Sequence, residues 1–309
     1  MSNLVAIVGP TAIGKSRLAL RLAQEFNGEI VSADSRQVYH HLDIGTAKPN
    51  QRELSLVPHH LINIANPDED FSLAEYQQLA YRAIADIQQR HKLAFLVGGS
   101  GLYIRAVLAG WGIPPVPPDL EFRQSLAKKA AAGRTDELYR ELMQVNRQAA
   151  QRIDGRNVRR VIRALEVSRY AGIPFSHGQQ KKTPPFAALI IGLTTDRAEL
   201  YRRIDLRVDK MIVLGLVEEV RGLMDKGFHL NLSAMSGIGY KQIGMFLNDE
   251  LTLAAAIQQI KFATHRFVRH QYNWFRLSDE GIKWFDVKGD VEAEITAEVA
   301  KFISDEKGG

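Results

Sequence analysis

The chain has 309 residues, 45% of them hydrophobic, enough to pack one large domain or a core with an insertion; that excludes a disordered chain. Lys and Arg outnumber Asp and Glu by 40 to 35, a formal charge of +5 that favours polyanionic partners only where it is clustered. The absence of cysteine excludes disulfides, thiolate zinc sites and cysteine nucleophiles.

Residues 4–8 form an all-apolar run of the length of a strand buried on both faces, too short for a secretion signal, and residues 17–23 read as a helix. No run approaches a membrane span, so a cytoplasmic protein without membrane contact is expected. Between strand and helix, Gly9, Pro10, Thr11, Ala12, Ile13, Gly14, Lys15 and Ser16 match G-x-x-x-x-G-K-[ST] in full. This context makes a phosphate cradle: loop amides and a helix N-terminus face one point, Lys15 adds positive charge, and Ser16 is placed to ligate Mg²⁺. The motif does not say which phosphate compound is held.

Residues 28–34 read as a short strand ending in Asp34, with Ser35, Arg36 and Gln37 in the loop leaving its carboxyl end. In doubly wound sheets ligands bind there, so Asp34 is expected in the crevice of the P-loop as a Mg²⁺ ligand, a general base or an N-cap. Residues 43–49 and 58–63 carry loop punctuation and are expected to form a long connection over the site. His59 and His60 point opposite ways on an extended segment and lack a third ligand, so no metal site is expected of them.

Ser72 and Glu75 form a capping box that opens a helix to about Gln89. A buried-type strand follows at residues 93–97, then a second glycine-rich turn at 98–103 that opens a helix. That turn either faces a ligand or packs tightly. A Walker-B strand would end in Asp, whereas this one ends in Gly98 and Gly99, which speaks against an ordinary ATPase.

Prolines across residues 111–118 mark a boundary, and a second proline punctuation falls near 181–185. Between them the pattern is helical, with Leu138, Leu142, Val145, Ala149 and Ile153 on one face. Across residues 157–170, Val158, Val161, Ile162 and Leu165 share one side, while Arg156, Arg159, Arg160 and Arg163 gather on the other with only Glu166 near the edge. An extended basic stripe of this kind suits a nucleic acid.

Residues 187–193 return to buried-strand character. On the following helix, Arg203 and Arg207 could both reach a phosphate or pair with Asp205 and Asp209. Tyr240 and Lys241, after a glycine-bearing turn, suit a base and a phosphate. A long helix from about Thr252 through Arg276 places Ile260, Ala263, Phe267 and Trp274 on its buried side and Arg266, Arg269 and Arg276 in a second basic stripe. No pattern is readable after Trp284. The expected fold is α/β: a P-loop NTPase-like parallel sheet flanked by helices (1–117 and 187–309), with a mainly helical insertion domain (118–186).

Taken together, residues 9–16, 33–37, 43–49, 58–61, 98–103, 160–166 and 274–276 resemble the tRNA dimethylallyltransferases, also called tRNA isopentenyltransferases. The resemblance implies transfer of a dimethylallyl group from dimethylallyl diphosphate, with Mg²⁺, to the exocyclic amine of the adenosine 3′-adjacent to the anticodon. It implies Asp34 as general base, Thr11, Lys15 and the rest of Gly9 to Ser16 on the diphosphate, Ser16 serving Mg²⁺, and Arg207 as the arginine clamp. Ser35, Arg36, Gln37 and Ser100 match positions near the target nucleotide, and the insertion's arginines suit an anticodon stem-loop. Ser100 stands where the family often has Thr, and Asn63 where Asp is frequent. Without cysteine, the C-terminal zinc finger of eukaryotic relatives is not expected; a bacterial-type enzyme acting as a monomer is. The competing expectations are a prenyltransferase acting on free adenine nucleotides, a P-loop small-molecule kinase and a non-enzymatic RNA-binding module.

Overall fold

The computed structural model describes residues 2–114, 116, 118–171 and 183–305; Pro115 and Pro117 of the first proline run and residues 181–182 near the second lie outside them. The chain divides into two units, Met1–Leu108 with Pro185–Gly309, and Ala109–Pro184. Punctuation alone placed the borders at 117/118 and 186/187. Prolines mark where regular structure stops, not which body the flanking chain packs into.

The first unit starts with β1 (Ser2–Val8), α1 (Lys15–Glu25) and β2 (Gly28–Ala33). It continues through α2 (Gln51–Leu56), β3 (His59–His60), α3 (Leu73–Gln89), β4 (Leu93–Gly98) and α4 (Gly101–Leu108). The second unit holds α5 (Leu120–Ala131), α6 (Thr135–Val145), α7 (Arg147–Arg152) and α8 (Val158–Ala171). The first unit resumes with β5 (Phe186–Thr194), α9 (Arg197–Val213), α10 (Leu216–Asp225), α11 (Tyr240–Leu247), α12 (Leu253–Trp274), β6 (Lys283–Asp286) and α13 (Glu292–Asp305).

Every strand pairing is parallel, in the order β3-β2-β4-β1-β5-β6. β1 lies between β4 and β5, with Leu4 opposite both Ala94 and Ala188. Its residues 4–8 have no exposed surface, which is why that run is apolar on both faces. Because the strands are parallel, residues 9–16, 34–37 and 98–100 all leave the sheet at its carboxyl edge, where ligands bind in sheets of this kind. At the opposite end of β2 the buried Glu29 accepts from Arg90 and Lys92 and lies 2.7 Å from His60 Nε2. The Arg90 hydrogen bonds contribute most to holding its carboxyl well below the usual range. His60 is thereby committed to the sheet edge.

Three stretches differ from the periodicity reading. The connection over residues 43–63 contains α2, begun by an Asn50–Glu53 capping box, and β3. The face drawn through residues 138–153 is broken at Asn146, whose side chain caps α7 by accepting from Ala149 N–H at 3.0 Å, and Val145 is 56% exposed. On α12 the buried face is Ala256, Ile260, Val268 and Gln271, while Phe267 is exposed. A 100° step puts Phe267 inside the same arc, between Ala256 and Ile260, so its exposure is not readable from angle. The tail beyond Trp284, unreadable by pattern, forms the end of an edge strand and a helix that buries Ile295 and Val299.

The second unit has its own core of Leu126, Leu138, Leu142, Ala149, Ala150, Ile153, Val161, Ile162, Ala164 and Leu165. Among the described residues no helix is long and apolar enough to cross a membrane.

Candidate active site

β1 ends at Val8, and Gly9 turns with φ +139°, a conformation L side chains rarely adopt; a Cβ there would lie 2.5 Å from the Leu193 carbonyl oxygen on β5. Gly14 precedes α1 in the left-handed region and offers no capping side chain, so the first amides of α1 stay available at the positive end of the helix dipole. Lys15 Nζ donates to the Pro10 carbonyl at 2.7 Å, closing over the loop. Ser16, at the first turn, is exposed.

Asp34 sits one residue past β2. Its Oδ1 accepts from Arg36 N–H at 2.8 Å, an Asx turn that fixes the carboxylate at the sheet's carboxyl edge. Ser100 Oγ accepts from Ser35 N–H at 3.0 Å and donates to Ser35 Oγ at 3.2 Å, tying the Asp34 loop to the second glycine turn. Arg36 donates to the Ser233 carbonyl and to Ser236 Oγ. Gln37 accepts from Ser32 Oγ at 3.0 Å and donates to the Thr46 carbonyl at 3.2 Å, so its amide secures the 43–49 loop.

Lys15, Arg207 and Asp34 set the electrostatics of the crevice. Among the described residues neither Lys15 nor Arg207 forms an ion pair. Burial first, then the Arg207 charge, pushes Lys15 down to about 7, with Asp34 offsetting part of the fall. Burial also lowers Arg207, again offset by Asp34. Arg203 instead donates to Glu199 at 2.7 Å, while Asp209 lies 2.7 Å from Lys261 and Asp205 2.9 Å from His265. Of the two arginines, Arg203 is thus paired on its own helix, and Arg207 is left without an acidic partner among the described residues. Two half-buried cations against one carboxylate favour a multiply charged anion.

Sequence reasoning missed two residues that organise this crevice. Gln271 on α12 is 3% exposed, and its amide bridges the P-loop to the second glycine turn. Its signal was a polar residue in register with Ile260 and Val268 on an apolar face. Glu219 on α10 accepts from the N–H groups of Asp43, Ile44 and Gly45 and from Tyr240 Oη at 2.6 Å. That contact corrects one expectation: Tyr240 is 1% exposed, and burial pushes its hydroxyl well above the usual tyrosine range. Its ring packs on Gly45, where a Cβ would lie 2.5 Å from it, so Tyr240 supports the 43–49 loop and cannot stack on a base. Lys241, its neighbour, is exposed.

In the second unit the basic stripe divides. Glu166 is fully buried and accepts from Asp119 N–H at 2.7 Å, from Arg123 Nε at 2.8 Å and from Arg163. Arg163 therefore serves the fold, which corrects its place in a free cationic face, and Arg156 donates to Asp154 at 2.7 Å. Arg159 and Arg160 are exposed and form no ion pair among the described residues.

The family model described as IPP transferase matches residues 37–278. The tRNA dimethylallyltransferase of Dehalococcoides mccartyi is 47% identical over 305 residues, covering 99% of this chain and 94% of that protein. The one from Roseiflexus castenholzii is 51% identical, covering 89% of this chain and 90% of its own. Among solved structures, the tRNA isopentenylpyrophosphate transferase of Bacillus halodurans aligns with a TM-score of 0.72 at 39% identity, over 98% of this chain and 96% of that one. A eukaryotic dimethylallyltransferase acting on tRNA aligns with a TM-score of 0.82 at 26% identity, over 99% and 80%.

Proposed function

The chain belongs to the IPP transferase family of tRNA dimethylallyltransferases, and from that premise we propose how its crevice performs the transfer. The donor is dimethylallyl diphosphate and the acceptor is the exocyclic amine of the adenosine 3′-adjacent to the anticodon of a tRNA. The observation that carries this reading is the placing of half-buried Lys15 and Arg207, which form no ion pair among the described residues, near the Asp34 carboxylate.

The diphosphate lies on the amides of residues 9–16, with Thr11, Lys15 and Arg207 around it. The amine nitrogen attacks the first carbon of the dimethylallyl group; the bond from that carbon to the diphosphate oxygen breaks, and its electron pair leaves with the diphosphate. Asp34 accepts the proton from nitrogen as the new bond forms, help worth roughly 10²–10⁴ in rate, because an aromatic exocyclic amine is a poor nucleophile. Lys15 and Arg207 stabilise charge that develops on the leaving group, where preorganised cations act without reorganisation.

Mg²⁺ fits the site in a limited way. Among the described residues no cluster of three His, Cys, Asp or Glu side chains could hold a metal, whereas the exposed Ser16 hydroxyl suits an ion that takes few protein ligands beside phosphate oxygens and water. Bound with the diphosphate, the ion would neutralise leaving-group charge. Ser35, Arg36, Gln37 and Ser100 border the nucleotide, and exposed Arg159, Arg160 and Lys241 meet RNA phosphates.

Nucleoside mass spectrometry after incubation with dimethylallyl diphosphate and either tRNA or AMP tests the reading. Dimethylallyl adenosine in the tRNA fragment that spans the anticodon supports it. Product only on AMP, or ATP consumption with a phosphorylated product, overturns it.

A further inference from the structure

Gln271 joins the two halves of the crevice. Its Oε1 accepts from Thr11 N–H at 2.9 Å, and its Nε2 donates to the Gly99 carbonyl at 3.0 Å. Both contacts are long-range in sequence and made by a side chain with 3% exposure. The fit is tight: a Cβ on Gly99 would lie 2.3 Å from Gln271 Nε2 and 3.8 Å from Lys15 Nζ.

Beyond each contact the chain of hydrogen bonds continues. Thr11 belongs to the loop that carries Lys15. Past Gly99, Ser100 N–H donates to the Ala33 carbonyl at 3.2 Å, and Ser100 Oγ accepts from Ser35 N–H, next to Asp34. The post on which Gln271 stands is itself fixed. Arg105 Nη2 donates to the Trp274 carbonyl at 3.0 Å and to Asp279 at 2.7 Å, and Trp274 fills the space above Gly101, where a Cβ would lie 2.2 Å from it.

A planar neutral amide accepts with one end and donates with the other in fixed geometry, and Gln has the reach that Asn lacks. A carboxylate at this position would keep the Thr11 contact, oppose the Gly99 carbonyl with a second acceptor and put negative charge beside Lys15.

We propose that Gln271 is a positioning residue that sets the spacing between the diphosphate cradle at Thr11–Lys15 and the base at Asp34. The proposal rests on the reading of P-loop and Asp34 given above. Attack of nitrogen on carbon requires donor and base in register, and a displacement of about 1 Å between them costs about a hundredfold in rate without necessarily changing how either substrate binds.

The test compares wild type with Gln271→Met, Gln271→Glu and Gly99→Ala, using a tRNA transcript and dimethylallyl diphosphate. Three quantities are measured: the single-turnover rate at saturation, the Kd for tRNA, and the folded fraction at the assay temperature from the melting curve. Wild-type turnover on tRNA is the check on the underlying reading and is scored separately. Gln271→Met should lose about a hundredfold in single-turnover rate, with tRNA Kd changed less than about threefold and the folded fraction unchanged. Gly99→Ala, which pushes the amide head away from the other side, should show the same split. The double variant should be no slower than the worse single one, as expected for two residues acting through one contact. Should Gln271→Met fold poorly, Gln271→Glu, similar in volume, carries the same expectation. A rate within about threefold of wild type overturns the proposal. So does a loss that follows tRNA affinity, which would make Gln271 an RNA contact, or one that follows the folded fraction, or additive effects in the double variant.

Discussion

Burial and Arg207 push Lys15 down to about 7 in the free protein, which makes donor binding a proton-linked event. A bound diphosphate favours the ammonium strongly, so a proton is taken up wherever free Lys15 is neutral. With the free group at about 7 and the bound one above about 10, the linkage factor is about 2 at pH 7 and about 100 at pH 9, an affinity loss of about fiftyfold. The donor adds little to that slope, because phosphate second ionisations lie near about 6. Titration calorimetry with dimethylallyl diphosphate in buffers of different ionisation heat reads both quantities. Uptake should be about half a proton at pH 7 and about 0.9 at pH 8. Lys15→Arg, whose guanidinium stays charged, should flatten the profile. Constant affinity from pH 7 to 9 without proton uptake would refute the electrostatic account of the cradle. In the free protein the same depression makes stability rise with pH between about 7 and 10.5, since there the unfolded chain holds a proton that the folded one has released.

The remaining predictions concern the scaffold and the RNA face. Glu166→Gln removes the buried charge over which the partly exposed Arg123 and Arg163 close, and should destabilise the second unit by about 1–3 kcal/mol, read by urea unfolding; a loss under about 0.5 kcal/mol would contradict that role. Burial raises the Glu166 carboxyl, and hydrogen bonds from Arg123 and Arg163 more than offset this, so its contribution is complete above about pH 4.5 and fades as pH falls below. Arg159→Glu with Arg160→Glu should weaken tRNA binding and reduce the salt slope by about 1.5, and an unchanged slope would remove these arginines from the RNA face. Glu219→Ala frees three loop amides and Tyr240, and should raise the KM for tRNA through the 43–49 loop and Gln37 while diphosphate binding stays as it was; an unchanged tRNA KM would refute this link.

The sheet's central strand, the P-loop, Asp34 and the α3 capping box were legible because each rests on local chemistry: an apolar run, a fixed motif, a strand end, and a Ser–Glu pair three residues apart. The Asn50–Glu53 box that opens α2 carried the same signal and was hidden among loop residues. What could not be read was long-range. Nothing near Tyr240 in the sequence announces Glu219, and Glu166 looked like the edge of a basic stripe although Arg123 and Arg163 close over it. Gln271 meets partners 260 and 172 residues away. Periodicity gives the facing of a side chain but not the identity of what it faces, so Arg163 and Arg159 were indistinguishable until the buried carboxylate appeared.

The central claim is that Asp34 takes the proton while the P-loop takes the diphosphate. Rapid-quench single-turnover with Asp34→Ala, alongside tRNA binding to the same protein, tests it most directly. The account predicts a rate lower by about 10²–10⁴ with tRNA affinity unchanged; turnover at the wild-type rate would contradict it.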